Sequence, residues 1–159
     1  MPNTPPPPGL RIGHVHLRVS NLDRSIGFYR DVIGLELVRR LGTGAAFLSA
    51  GGYHHHIGLN TWDSAGAPPP PPGHTGLFHT AFLFPTRADL AAVYRRVRTA
   101  GIALDGAADH GVSEALYLRD PDQNGVELYW DRPRDAWPVA PDGGIDIVTK
   151  RLDLASLRG

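Results

Sequence analysis

Eight histidines in a chain with no cysteine set the first question, because imidazole is both a common metal ligand and a near-neutral acid–base group. Without cysteine, disulfides, thiolate nucleophiles and cysteine-based zinc or iron–sulfur sites are excluded. Alternation along short segments decides which histidines meet. In Arg11–Val19, Gly13, Val15, Leu17 and Val19 share one face, while His14, His16 and Arg18 share the other. In Tyr53–Asn60 the apolar Ile57 and Leu59 take His55 with them and leave His54, His56 and Asn60 on the polar face. Ser113–Arg119 likewise leaves Tyr117 and Arg119 facing inward, and Gly125–Asp131 leaves Glu127 and Tyr129.

The elements that must position these groups repeat. A constant offset of 65 residues sets His14 on His79, Leu17 on Phe82, Phe28 on Val93, Tyr29 on Tyr94 and Val32 on Val97. The chain therefore reads as two copies of strand–helix–three strands, and neither copy alone is large enough to bury its sheet. The fold class expected is α+β: two paired βαβββ modules forming a cupped mixed sheet with the helices outside. Ser20 with Asp23, and Thr86 with Asp89, read as capping boxes for the two helices, and Gly34 and Gly101 as their stops. Residues 1–9 read as a disordered proline-rich arm. Residues 10–135 form one domain, with module one at 10–60, a proline-rich linker at 61–76 and module two at 77–131. Residues 136–159 are an extension, with a strand candidate at Ile145–Val148.

The hollow of the cup collects His14, His16, His54, His56, His79, Tyr117 and Glu127. A carboxylate among imidazoles is costly unless compensated, and a divalent cation compensates it. His14, His79 and Glu127 form the best triple, since the two histidines are repeat mates and Glu127 lies on a last strand. Two imidazoles and one carboxylate suit Fe(II), Mn(II), Ni(II) or Zn(II). Lys plus Arg equals Asp plus Glu at 16 each, so no nucleic-acid surface or basic membrane patch is expected. No apolar run approaches the length of a membrane span, and a cytoplasmic protein is the expectation.

The segments Gly13–Ser25 and Phe28–Leu35 resemble the opening of a vicinal oxygen chelate protein. That superfamily holds glyoxalases, bleomycin- and fosfomycin-resistance proteins and extradiol dioxygenases. The resemblance spans about residues 10–135 and implies the paired-module fold. Tyr53–Trp62 and His110–Glu127 narrow it to the first domain of catechol 2,3-dioxygenases of the bacillus type, through His110, Tyr117, Asp120, Pro121 and Glu127. The sequence departs from that pattern at Ala108 and at Gln123, where glycine is usual.

The resemblance implies an extradiol ring-cleaving dioxygenase with a small aromatic diol and dioxygen as substrates. It implies Fe(II) held by His14, His79 and Glu127, with His56, or else His54, as the base that deprotonates the diol. It further implies that His110 and Tyr117 hydrogen-bond the bound substrate. His16, His54 and Asn60 are expected to line the pocket, and a homodimer is expected. Two other functions fit the same frame: a glyoxalase-type lyase or isomerase, and a binding protein that sequesters a drug or metabolite.

Overall fold

The computed structural model describes residues 5–157, so the expectations for residues 1–4 and 158–159 lie outside it. The first module runs β1 (Val15–Arg18), α1 (Leu22–Gly27), β2 (Glu36–Leu41), β3 (Ala45–Ser49) and β4 (Ile57–Asn60). The second runs β5 (Thr80–Leu83), α2 (Arg87–Thr99), β6 (Leu104–Asp109), β7 (Ser113–Arg119) and β8 (Gly125–Asp131). A two-residue β9 (Lys150–Arg151) comes from the extension. The strand orders are β1-β4-β3-β2 and β5-β8-β7-β6-β9. In each module the first strand pairs in parallel with the last, as Val15 with Ile57 and Thr80 with Val126.

These are two mixed sheets rather than one ladder. The inner edges β1 and β5 are not hydrogen-bonded among the described residues. A cavity of about 760 Å³ lies beside both edges, reached by His14, Val15, His56, His79, Phe82 and Tyr129.

Apolar side chains on the back faces build a shared core. Leu116, Leu118 and Leu128 of the second sheet are fully buried, as are Leu48, Ile57 and Leu59 of the first. Each such side chain contributes about 1.5–3 kcal/mol when removed from water. From α2, Leu90, Val93, Tyr94 and Val97 are buried, as their helical spacing predicts. Thr86 and Asp89 form the expected capping box.

The first helix departs from expectation at its cap and in its later turns, while Gly34 ends it as expected. Its cap is Asn21, whose Oδ1 accepts from Arg24 N–H at 2.9 Å, and not Ser20. Ser20 is engaged elsewhere, donating its hydroxyl to Asp122 Oδ1. After Gly27 the helix widens into a π-helical stretch, Phe28–Ile33, closed by Gly34 at φ +99°. Arg96 of α2 donates to the carbonyls of Val32 and Ile33 at 2.9 and 2.8 Å, satisfying acceptors that a helix end leaves free.

The modules are joined by a buried polar joint. Asp122, in the turn between β7 and β8, accepts from Ser20 N–H, Ser20 Oγ, Ser25 Oγ and Arg24. Asp120 accepts from Tyr29 Oη at 2.9 Å, from Asn124 Nδ2 and from two backbone N–H groups of its own turn. Burial, followed by the Asp120 charge, pushes the Tyr29 hydroxyl well above the usual range.

The extension has its strand at Lys150–Arg151, paired with β6, rather than at Ile145–Val148. Before it, Val139 and Ile145 form an isolated bridge. Residues 5–10 are exposed, with Leu10 N–H donating to Pro7 C=O. Among the described residues no helix is long and apolar enough to cross a membrane.

Candidate functional site

His79 sits one residue before β5, and Glu127 lies in β8, two places along from the level of His79 in the parallel register Ala81–Glu127. Their side chains meet, with His79 Nε2 2.9 Å from Glu127 Oε2. This approach depends on Gly125. A Cβ there would stand 2.0 Å from the Phe78 carbonyl oxygen and 3.0 Å from His79 Cβ. Only the lack of a side chain lets β8 start against the backbone that carries His79. In the sequence Gly125 reads only as the start of a strand, and the Asn124–Gly125 pair is its one visible signal.

Across the antiparallel pair β7–β8, Tyr117 stands opposite Glu127, and its hydroxyl donates to Glu127 Oε1 at 3.1 Å. Burial first, then the Glu127 charge and this hydrogen bond, push the Tyr117 phenol up to about 12. His110, at the head of the β6–β7 turn, places Nε2 2.8 Å from Tyr117 Oη. Its Nδ1 lies 2.9 Å from the Val148 carbonyl. The second module thus strings four side chains together: His79, Glu127, Tyr117 and His110. Burial, with help from Asp131 and Glu127, also raises the Tyr129 phenol.

The donor set suits a cation. Glu127 is only 14% exposed, and among the described residues no Arg or Lys bonds it. Its negative charge is met by one neutral phenol and by His79, whose Nδ1 is buried without a hydrogen-bond partner. Two ligand atoms at adjacent corners around one ion stand about 3 Å apart when each bond is about 2.1 Å, close to the His79–Glu127 separation.

The third residue of the expected triple is placed differently. His14 precedes β1 at the same cavity, and its ring packs on that of His55, with centroids 4.4 Å apart. Among the described residues no three His, Asp or Glu side chains lie close enough to share one ion. The structure brings His79 to Glu127 and leaves His14 on the first module's wall.

The remaining residues divide by location. His56 lines the cavity, and its Nδ1 is 2.9 Å from Ser49 Oγ. His16 packs against Trp62 and Phe47, over Gly58, where a Cβ would meet its ring at 2.8 Å. Burial first and then His14 lower its pKa. Asn60 is buried at the end of β4, its Oδ1 3.4 Å from Trp62 N. His54 stacks on Tyr53 and holds its Nδ1 2.7 Å from that of His55.

One expectation is overturned. Alternation placed His55 on the apolar face, yet its ring lies against those of His14 and Phe47. Residues 53–56 are not strand: Gly51 and Gly52, at φ +63° and +74°, turn the chain, and β4 begins only at Ile57. Side-chain alternation has no force where there is no pleat.

Comparison with known proteins adds three findings. A profile described as the Glyoxalase/Bleomycin resistance protein/Dioxygenase superfamily matches residues 11–128. The chain is 40% identical over 146 residues to the catechol-2,3-dioxygenase of Bacillus subtilis (strain 168), covering 92% of this chain and 50% of that one. It is 38% identical over 121 residues to biphenyl-2,3-diol 1,2-dioxygenase 3 of Rhodococcus globerulus, covering 76% and 63%. The chain therefore spans about half to two thirds of the length of these relatives. Among solved structures, the lactoylglutathione lyase of Agrobacterium tumefaciens superposes with a TM-score of 0.60 at 27% identity, covering 78% of this chain and 96% of that one.

Proposed function

The chain belongs to the glyoxalase/bleomycin resistance protein/dioxygenase superfamily, and on that premise we propose that it is a metal-dependent extradiol dioxygenase acting on a catechol-like aromatic diol. The observation that carries this reading is the linked set His79–Glu127–Tyr117–His110, an imidazole–carboxylate pair with a phenol and a second imidazole behind it. The likeness to two ring-cleaving dioxygenases supports it. His79 and Glu127 would hold the ion, and His14, which lines the same cavity, would have to leave its packing on His55 to serve as the third ligand; Fe(II) or Mn(II) suits that donor set better than a soft metal. Ni(II) and Zn(II) accept the same ligands. Such an ion would supply Lewis-acid chemistry, lowering the pKa of the hydroxyls of a diol held at the site.

The chain's own residues supply the rest. His56 reaches the cavity with its Nδ1 engaged by Ser49, which leaves Nε2 to exchange a proton with a bound diol. Near-neutral imidazole suits that role, and a positioned acid–base group contributes about 10²–10⁴ in rate. Tyr117 remains protonated across the physiological range and so serves as a hydrogen-bond donor, not as a base. The cavity, lined by Phe82 and Tyr129 beside the strand edges, has room for an aromatic ring, since its volume of about 760 Å³ exceeds what one ring needs.

The test is anaerobic loading with Fe(II) or Mn(II), then oxygen uptake and absorbance across a panel of catechols. A coloured ring-fission product is expected, and it is expected to vanish in Glu127→Gln and His79→Ala. Verified metal with no product from any diol would refute the proposal. The superposition on a lactoylglutathione lyase supports a second reading, a metal-dependent isomerase or lyase. Turnover of a hemithioacetal by the Ni(II) or Zn(II) form, without diol cleavage, would establish that one instead.

A further inference from the structure

The C-terminal extension runs back over the candidate site. Trp137 Nε1 donates to the Arg132 carbonyl at 2.7 Å. Pro138 then packs on Gly111, where a Cβ would stand 2.9 Å from Pro138 Cγ and 3.3 Å from Val148 Cγ2. The chain turns through 140–144 and returns at Val148. There Val148 N–H donates to the His110 carbonyl at 3.2 Å, and the Val148 carbonyl lies 2.9 Å from His110 Nδ1. Beyond it, β9 pairs with β6, and Leu152 and Leu157 enter the core. Arg87 donates to the Ser156 carbonyl and hydroxyl at 3.0 and 2.7 Å. The stretch across His110 is therefore tied at both ends.

A carbonyl oxygen has no proton to give, so the Val148–His110 hydrogen bond exists only when Nδ1 carries the hydrogen. Thr149 Oγ1, at 3.4 Å from the same nitrogen, is too distant to compete. In neutral His110 the lone pair then lies on Nε2, 2.8 Å from Tyr117 Oη. We propose that residues 137–149 are a built-in part of the site, a strap whose Val148 carbonyl fixes His110 in the tautomer that presents a bare Nε2 to Tyr117. Val148 is a positioning residue in this scheme, acting through its backbone.

The assignment gives the Tyr117 hydroxyl two acceptors for one hydrogen, His110 Nε2 and Glu127 Oε1. Turned toward His110, the hydroxyl leaves Glu127 Oε1 free of its proton. The other neutral tautomer, with hydrogen on Nε2, would force the tyrosine hydrogen onto Glu127 and leave the Val148 carbonyl facing a lone pair. The strap thereby makes His110 a proton acceptor on the side that faces the site. This extends the dioxygenase reading by giving His110 a fixed protonation pattern, yet its test needs neither metal nor substrate.

The experiment is two-bond ¹H–¹⁵N correlation on the full chain labelled in histidine, at about pH 8, where free imidazole is neutral. Loss of one ring pattern in His110→Gln identifies the His110 signals. The expected pattern is a protonated Nδ1 and a bare Nε2. Replacing residues 138–148 by a Gly/Ser run of equal length, with Trp137 and the core anchors kept, is expected to convert His110 toward the Nε2–H form. Val148→Ala keeps the carbonyl and is expected to keep the native pattern. Hydrogen on Nε2 in the intact chain would overturn the proposal. So would an unchanged Nδ1–H pattern in a folded strap replacement. If that replacement does not fold, the intact-chain spectrum still decides. A dioxygenase assay that fails beside an Nδ1–H spectrum refutes the function and leaves the strap standing; the reverse pair does the opposite.

Discussion

Replacing Gly125 with alanine puts the reasoning about the site under the most direct strain. The added methyl would stand 2.0 Å from the Phe78 carbonyl oxygen, whereas such contacts are not found below 3.0 Å. The Phe78–His79 backbone must therefore retreat by at least about 1 Å, because packed interiors have no slack to absorb the overlap. The neighbour is main chain, so no rotamer change relieves it. Overpacking of this kind costs about 1–3 kcal/mol. For a chain of this size, about 2–4 °C of melting temperature is lost per kcal/mol, so a fall of about 2–12 °C is expected. The same retreat pulls His79 Nε2 away from Glu127, now 2.9 Å distant. At least a tenfold loss of Mn(II) affinity is expected by anaerobic titration calorimetry, about 1.4 kcal/mol. Gly106→Ala is the control. Its methyl would find nothing closer than Tyr117 Cδ2 at 4.0 Å, and a gain of about 0.4–1 kcal/mol is expected. Urea unfolding of both variants decides the matter. A Gly125→Ala protein as stable as the parent, with undiminished metal binding, would refute the claim that this glycine sets the approach of His79.

Three further outcomes follow from the joint and the turn beside it. Gln123 has φ +66°, the one described residue other than glycine in the left-handed region; Gln123→Gly is expected to gain about 0.5–1 kcal/mol in urea unfolding, and a loss would show that the strain is not real. Asp122→Ala leaves Ser20 N–H and Ser25 Oγ without their acceptor and frees the half-exposed Arg24, and a cost of about 1–3 kcal/mol is expected, while under about 0.5 kcal/mol would deny the joint its structural role. Tyr29 has a folded-state pKa raised by burial and by Asp120, so its contribution is complete below the unfolded value of about 10 and is lost as pH rises toward the folded one; Tyr29→Phe should flatten the fall in stability measured between pH 9 and about 11.5, and an unaltered slope would contradict that.

How far the sequence discloses this molecule depends on whether a signal is local. In β7 and β8 the alternation of Leu116, Leu118, Val126 and Leu128 with Tyr117 and Glu127 is unbroken, and the structure sets those two polar groups opposite each other as alternation implies. The 65-residue offset likewise anticipated two modules of one plan. In residues 53–56 the same rule placed His55 wrongly, because two left-handed glycines end the strand that the rule assumes. The sequence reads Ser20 as the helix cap, and what removes it from that duty is Asp122, 102 residues away. No local pattern carries such a partner. For the same reason the bonds from Asp120 and Asp122 to the first module's helix have no signature in the sequence. The segment Ile145–Val148 reads as strand, yet its Ile147 is exposed and its Val148 carbonyl is held by a histidine ring.

Pairing of β9 with the outer edge of β6 has a bearing on solubility. Unpaired strand edges are templates for fibril growth, and this two-residue piece occupies part of one of them. At the other end of the fold, every residue of β2 is exposed in part, but the strand carries Arg39, Arg40 and Glu36 and an irregular register at Val38, all of which discourage a foreign strand. Proteolytic trimming of the last ten residues would therefore strip the guard from β6 and at the same time withdraw Leu152 and Leu157 from the core, so the clipped material would gain an open strand edge and lose packing together, with only Asp105 and Asp109 left to deter a foreign strand.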